Sequence, residues 1–240
     1  MPLLDHFHPP LSQRRHWDSF HSAWAEAIAL QLNQGLLPPR YFAEAQVKVG
    51  TRITTDVGTF ESNGESGQPA PQGGIAVWAP PRPAAAVPLS FGGLDLFEVQ
   101  VFNDEEGPRV VAAVELVSPA NKDRVAHRQM FAVKCASYLQ QDISLVIADV
   151  VTERSGNLHA ELQQLLGVSA ATPGQGAADL YATAYRTVSG SPTLTLEMWA
   201  EVLALGSPLP TLPLWLGADL CVPLDLEQAY LAACAARRIP

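Results

Sequence analysis

The chain has 240 residues, of which 48% are apolar and 16% are charged. This composition excludes a disordered protein and provides enough apolar side chains for a buried sheet. The length predicts a single domain over residues 1–240. The net charge of −9 argues against a protein whose whole surface binds nucleic acid, because such binding neutralises phosphates with Lys and Arg.

The cellular compartment is indicated by the N-terminal residues and the cysteines. The chain starts with Met-Pro-Leu-Leu-Asp-His, without a basic region that leads into an apolar stretch. No segment approaches the roughly 18 continuous apolar residues of a membrane span. Cys135, Cys221 and Cys234 lack the paired spacing of a zinc site or a disulfide framework. We therefore expect a cytoplasmic protein that is neither secreted nor inserted in a membrane.

The first half of the chain predicts one helix followed by strands. Apolar residues recur at helical spacing over residues 16–33, and Gly35 with the following prolines supplies a stop. Alternating and β-branched patterns predict three strands. They cover residues 40–49, 51–60 and 75–79. A Gly, Ser and Pro-rich run at residues 61–74 predicts a loop between the last two.

The middle of the chain predicts a hairpin and a parallel crossover. Residues 94–102 and 109–117 are strand-like and are joined by a polar turn at residues 103–108. A loop at residues 118–122 and a helix at residues 123–141 follow. Residues 143–151 are almost all apolar, which is typical of a strand buried on both faces. The order strand, helix, strand predicts that the two flanking strands are parallel.

The last third predicts an extension over about residues 152–240. Its predicted elements are a helix at 158–166, a hairpin of 179–188 with 193–205, proline-rich edges, and a last helix at 226–237. The fold class expected from the whole pattern is α/β or α+β, with a central mixed β-sheet flanked by helices. A C-terminal β-hairpin and helix complete the prediction.

Glu115 is the first candidate functional residue. It stands in Val-Val-Ala-Ala-Val-Glu-Leu-Val, where the neighbours on both faces are apolar, so its carboxylate should be buried. A buried carboxylate needs a partner. The partner is either a basic residue such as Lys134, in a structural ion pair, or a metal ion or substrate. Lys134 shares a helical face with Phe131 and Tyr138, which predicts that it points inward.

Two further acids are candidate metal ligands beside Glu115. Asp56 lies toward the end of the predicted strand at residues 51–60 and would meet Glu115 if these two strands pair. Converging carboxylates supply the oxygen ligands that Mg²⁺ prefers. The alternative is an exposed aspartate at a strand end. Glu44, on the strand before, is a third candidate.

Basic residues cluster between positions 122 and 134. They are Lys122, Arg124, Arg128 and Lys134, and they predict a local basic patch on which DNA could bind. Lys122 stands at the start of the predicted helix, where the helix dipole favours an anion, although a solvated loop lysine is the alternative. We predict that Lys134 faces Glu115 and that Lys122 lies nearer to solvent.

Several of these motifs together resemble one bacterial family. They are Thr55-Asp56-Val57 and Glu115-Leu116-Val117-Ser118-Pro119-Ala120-Asn121-Lys122, with Lys134 and Tyr138 downstream. The family is the one called domain of unknown function 4058, and the resemblance also covers residues 17–21, 37–41 and 222–226. Its core is similar to bacterial endonucleases of the PD-(D/E)XK superfamily. The resemblance implies a restriction endonuclease-like core over about residues 16–151.

In that superfamily an Asp, a Glu and a Lys face one or two Mg²⁺ ions. By the resemblance, Asp56 matches the first acid and Glu115 the second. Val117 stands where the superfamily has its lysine. In related nucleases the lysine lies on the following helix, four residues before a tyrosine, and Lys134 matches that arrangement. Lys122 is the competing replacement.

The resemblance implies a nuclease that depends on Mg²⁺ or Mn²⁺ and acts on DNA. The alternative is a nuclease-like domain without turnover that serves as a binding or assembly module. In a third interpretation Glu115 and Lys134 form a closed ion pair in the core. The sequence leaves the oligomeric state open.

Overall fold

The described residues form five α-helices and eight strands. The computed structural model describes residues 2–48, 96–105, 107–169, 171–176, 179–189 and 194–240, all in one unit. The helices are α1 (Trp17–Gln31), α2 (Pro119–Asp123), α3 (Val125–Gln140), α4 (Leu158–Leu165) and α5 (Leu226–Ala236). The strands are β1 (Tyr41–Lys48), β2 (Leu96–Asn103), β3 (Arg109–Leu116), β4 (Ser144–Asp149), β5 (Leu180–Ser189), β6 (Leu194–Leu203), β7 (Thr211–Trp215) and β8 (Cys221–Asp225).

Six strands form one mixed sheet in the order β1-β2-β3-β4-β5-β6. All neighbouring strands are antiparallel except β3 and β4, which are parallel and are joined through α2 and α3. Every residue of β4 is buried, as the apolar run predicted. The predicted fold class and the parallel crossover are therefore confirmed.

The sheet is covered on both faces at β2. Phe97 packs against the Trp17 and His21 rings of α1, whereas the next residue, Glu98, contacts Lys134 of α3. Because successive residues of a strand point to opposite faces, α1 and α3 lie on opposite sides of the sheet. A π-helical turn ends α1, and Gly35 adopts there a φ of +126°, which favours glycine.

The C-terminal third differs in part from the prediction. The predicted hairpin forms β5 and β6, and because β5 pairs with β4 it extends the central sheet. A second hairpin, β7–β8, was missed because its prolines were interpreted as edges. Pro213 and Pro223 stand opposite each other in it. Proline is tolerated here because each strand of a two-stranded sheet is an edge strand.

The predicted loop at residues 118–122 is wrong. Residues Pro119–Asp123 form the short helix α2, and α3 starts only at Val125. The Ser118 side chain accepts a hydrogen bond from the Asn121 amide, and the Asn121 side chain accepts one from the Ser118 amide at 2.8 Å. This capping box, with proline at the first helical position, is a helix-start signal that the sequence already contained.

Several predictions concern residues outside the described ranges. The strands predicted at residues 51–60 and 75–79, the loop between them and Asp56 lie outside the described residues. Within the described ranges, no helix has the length and apolar character that crossing a membrane requires.

Candidate functional site

The β2–β3 register places two glutamates side by side. Glu98 of β2 stands directly opposite Glu115 of β3, so the two side chains share the α3 face of the sheet. Both residues are only 1% exposed. Two carboxyl groups in such a place need protons, cations or hydrogen-bond donors.

Helix α3 supplies the cation. The Lys134 Nζ contacts Glu115 Oε1 and lies 3.3 Å from Glu98 Oε2. The Tyr138 hydroxyl, one turn further along α3, donates to Glu98 Oε1 at 2.7 Å, and Gln100 Nε2 donates to the same oxygen at 2.7 Å. We call these five residues the acid–lysine cluster. The prediction that Lys134 faces Glu115 is confirmed.

The charges in the cluster are set by burial and by the two neighbours of each group. Burial raises the pKa of Glu115 to about 8; Lys134 opposes this shift, and Glu98 adds to it. Burial also acts to raise the pKa of Glu98, but hydrogen bonds from Glu115 and Tyr138, together with the Lys134 charge, outweigh it and lower that pKa. Near neutral pH the cluster therefore holds a protonated Glu115, an ionised Glu98 and a charged Lys134.

Lys134 is the member of the cluster that solvent reaches. Its side chain is 31% exposed, against 1% for Glu98 and 2% for Glu115. Burial acts to lower its pKa, but the two carboxyl groups raise that pKa by more. A ligand that approaches the carboxyl groups from solvent would therefore meet a charged ammonium group.

Lys122 lies elsewhere, and its predicted position near solvent is wrong. Its side chain is 1% exposed, and its Nζ forms an ion pair of 2.9 Å with Asp149 Oδ2 at the end of β4. The Nζ also donates to the Val151 carbonyl at 3.3 Å, while Asp149 Oδ1 accepts from the Val151 amide at 3.0 Å. Because α2 directly follows the C-terminal end of β3, and β4 is parallel to β3, Lys122 lies beside the C-terminal end of β4.

The basic residues between 122 and 134 do not form an unpaired positive patch. Each has a carboxylate partner. The pairs are Lys122 with Asp149, Arg124 with Asp123, Arg128 with Glu161, and Lys134 with Glu98 and Glu115. The linear cluster of positive charge is therefore neutralised in the fold.

The other predicted metal ligands do not join the cluster among the described residues. Glu44 lies on β1 opposite Gln100 and is exposed, and Asp56 lies outside the described residues. The described ranges contain no group of three or more His, Cys, Asp or Glu side chains arranged to hold a metal ion. The sequence interpretation missed Glu98, although a glutamate in the apolar run Leu-Phe-Glu-Val-Gln-Val was a signal of the same kind as Glu115.

Comparisons with protein-family models, with curated proteins and with solved structures found no match to this chain. The resemblance to domain of unknown function 4058 and to the PD-(D/E)XK superfamily therefore stays a prediction.

Proposed function

We propose that the chain is a nuclease that depends on Mg²⁺ or Mn²⁺, acts on DNA and uses the acid–lysine cluster as its site. The observation that carries this proposal is the direct opposition of Glu98 and Glu115, with Lys134 within reach of both. Glu98 takes the role of first acid that the resemblance assigned to Asp56. The order of the described elements supports the proposal as well: α1, the antiparallel strands β1 to β3, the crossover helices α2 and α3, and the parallel strand β4.

The donor set fits a hard divalent ion. Mg²⁺ is commonly held by one or two carboxylates, with waters and substrate phosphate oxygens as the remaining ligands. Glu98 provides one such carboxylate, and Glu115, on the same face of the sheet, provides a second when it loses its proton. The bound ion would stabilise negative charge at phosphorus and lower the pKa of a bound water molecule.

The residues of the chain have separate roles in this proposal. Tyr138 and Gln100 fix the orientation of the Glu98 carboxylate by donating to one of its oxygens. Lys134, which solvent reaches, would neutralise a phosphate oxygen of DNA. Glu115 holds a proton near neutral pH and becomes a second carboxylate when that proton leaves.

A plasmid-nicking assay tests the proposal. Wild-type protein is incubated with supercoiled DNA and Mg²⁺ or Mn²⁺, and with EDTA as a blank. We expect weak nicking without strong sequence preference, which fades as salt rises because few phosphates are contacted. Glu98→Gln and Glu115→Gln should each remove the nicking. Glu201→Gln, an exposed change on β6, is the matched control and should leave it intact.

A second candidate function is a nuclease-like module that binds or assembles without turnover. It is favoured by the charge balance of the cluster, since one lysine and one proton already compensate two carboxyl groups. It is also favoured by the pairing of every basic residue between 122 and 134.

The variant Asp56→Asn tests whether Asp56 or Glu98 is the first acid of the site. If Asp56→Asn removes nicking and Glu98→Gln does not, the assignment of Glu98 is wrong. If wild type and Glu115→Gln are equally inert with both metals, on single-stranded and double-stranded DNA, the module without turnover replaces the nuclease.

A further inference from the structure

Arginines from the two ends of the sequence meet around one cavity. Arg14 and Arg15 precede α1, and Arg238 follows α5. The cavity has a volume of about 480 Å³, which is in the range of small-molecule sites. It is lined by Leu4, Asp5, Pro9, Pro10, Leu11, Arg14, Arg15, Arg238 and Pro240. We call it the arginine cavity.

The fold holds one of these arginines in place. Arg15 Nε donates to the Arg237 carbonyl at 3.1 Å, and Arg15 Nη1 donates to the Arg14 carbonyl at 2.9 Å. Arg237 in turn donates from Nε to the Ser19 carbonyl at 3.0 Å in α1. These bonds tie the two ends of the chain together and fix a guanidinium group at the cavity before any ligand arrives, which reduces the ordering cost of binding.

The positive charge at the cavity is not compensated by ion pairs. Within the described ranges, Arg14, Arg15 and Arg238 form no salt bridge. Asp5 is the one acidic side chain in the lining, and its carboxylate already has several donors. They are the Phe7 amide, the His8 amide and ring, and the Thr152 hydroxyl. The chain has a net charge of −9, so three arginines without an ion pair at one cavity are a local excess of positive charge.

The chemistry of the lining defines a class of ligand. Guanidinium groups bind phosphate oxygens through paired donors and stack on flat rings. The leucine and proline side chains supply an apolar wall for the rest of the ligand. A phosphate carries more negative charge than a carboxylate and so matches three arginines better. We propose that the arginine cavity binds a nucleoside phosphate, either a free nucleotide or the phosphorylated end of a DNA strand.

Titration calorimetry of the full chain in EDTA tests this proposal, since binding needs neither a metal ion nor the acid–lysine cluster. The probes are dAMP, deoxyadenosine and decanoate. We expect dAMP to bind and deoxyadenosine to bind at least roughly tenfold more weakly, because a charged hydrogen-bond partner is lost. Short oligonucleotides with a 5′-phosphate or a 5′-hydroxyl group then distinguish a strand end from a free nucleotide as the source.

Three variants decide whether binding occurs in this cavity. The double change Arg14→Gln with Arg238→Gln should weaken dAMP binding on the order of 100-fold, and both side chains are exposed, so an unchanged melting temperature checks the fold. Arg124→Gln, an exposed arginine outside the cavity, and Glu115→Gln should bind dAMP like wild type. The proposal is overturned if wild type does not bind dAMP, if the double variant binds equally well, if Glu115→Gln loses binding, or if decanoate binds more tightly than dAMP.

Discussion

At the scale of single residues, one proton and one lysine compensate two neighbouring glutamates. Glu98 and Glu115 are opposite each other, and the pKa of Glu115 is raised to about 8 while that of Glu98 is lowered. This arrangement is neutral as a whole but contains a buried, ionised Glu98 beside the partly exposed ammonium group of Lys134. Unfolding experiments can measure both the free energy that this arrangement costs the fold and the pH dependence of stability that it causes.

The stability of the fold should fall between pH 6.5 and pH 8 because of Glu115. Its pKa in the folded state, about 8, is above the ordinary value of 4.5, so the folded form binds the proton more tightly. The stabilisation is complete below pH 4.5 and is lost as the pH rises toward 8. Over this window the loss is about 2 kcal/mol. Chemical denaturation at several pH values should show it in wild type and not in Glu115→Gln.

The pH range for observing the Glu115 effect starts at 6.5 because three buried histidines change the stability of the fold at lower pH. Burial lowers the pKa of His6, His21 and His159 from 6.5 to about 4. Neighbouring groups also affect the pKa of His6 and His21, by less than burial does. Their stabilisation is present above pH 6.5 and is lost as the pH falls, which opposes the Glu115 effect only at lower pH. Parallel stability curves for wild type and Glu115→Gln above pH 6.5 would contradict the assignment.

Lys134→Met should destabilise the fold by about 3 kcal/mol at pH 8, since it leaves an ionised Glu98 buried without its cation. The double change Glu98→Gln with Lys134→Met should recover most of this loss. Thermal or chemical unfolding of the four proteins of this cycle provides the measurement. An increase in stability for Lys134→Met alone would instead indicate an ion pair that is less stabilising than an apolar contact.

The burial of Glu115 and the direction of Lys134 could be predicted from the sequence, but their full set of partners could not. Glu115 lies in an apolar strand and Lys134 shares a face with Phe131, which were enough to predict that the two meet. Glu98 and Asp149 are also charged residues in apolar runs. Their partners depend on which strands are neighbours, and local patterns do not determine sheet order.

At the scale of elements, the ion pair of Lys122 with Asp149 connects α2 to the end of β4. Burial raises the pKa of Asp149, and the Lys122 charge opposes this shift. Lys122→Met should destabilise the fold by roughly 3–5 kcal/mol, because an uncompensated carboxylate remains in the core. The exposed control Arg124→Met should change the free energy of unfolding by less than about 0.5 kcal/mol. Equal effects in the two variants, measured by denaturant unfolding, would contradict a structural role for Lys122.

Most helices and strands could be predicted from the periodicity of apolar residues, whereas the register between strands could not. The unbroken apolar run at β4 predicted a strand buried on both faces, and it is one. The pairing of β2 with β3 shifts between Val101 and Phe102, and this irregularity is part of what sets Glu98 opposite Glu115. A slip of one residue in this register would turn the Glu98 carboxylate to the α1 face of the sheet. The site therefore depends on the strand register, which the alternation of apolar and polar residues does not determine.

In the whole molecule, unpaired positive charge does not lie where basic residues are closest together in the sequence. The basic residues between 122 and 134 are paired with carboxylates, whereas arginines near the two ends of the sequence meet around the arginine cavity. Any DNA bound near the acid–lysine cluster therefore has few unpaired cations to contact on α2 and α3. Weak, salt-sensitive binding there is the expected consequence.

The proposed nuclease site requires Glu98 and Glu115 to hold a divalent ion together. Titration of wild-type protein with Mn²⁺ at pH 8, followed by calorimetry, tests it most directly, because Glu115 loses its proton near that pH. We predict saturable binding in wild type and in Glu201→Gln, and a loss of that binding in Glu98→Gln and in Glu115→Gln. Mn²⁺ binding that is absent in wild type, or that is unchanged when both glutamates are replaced, would contradict the claim.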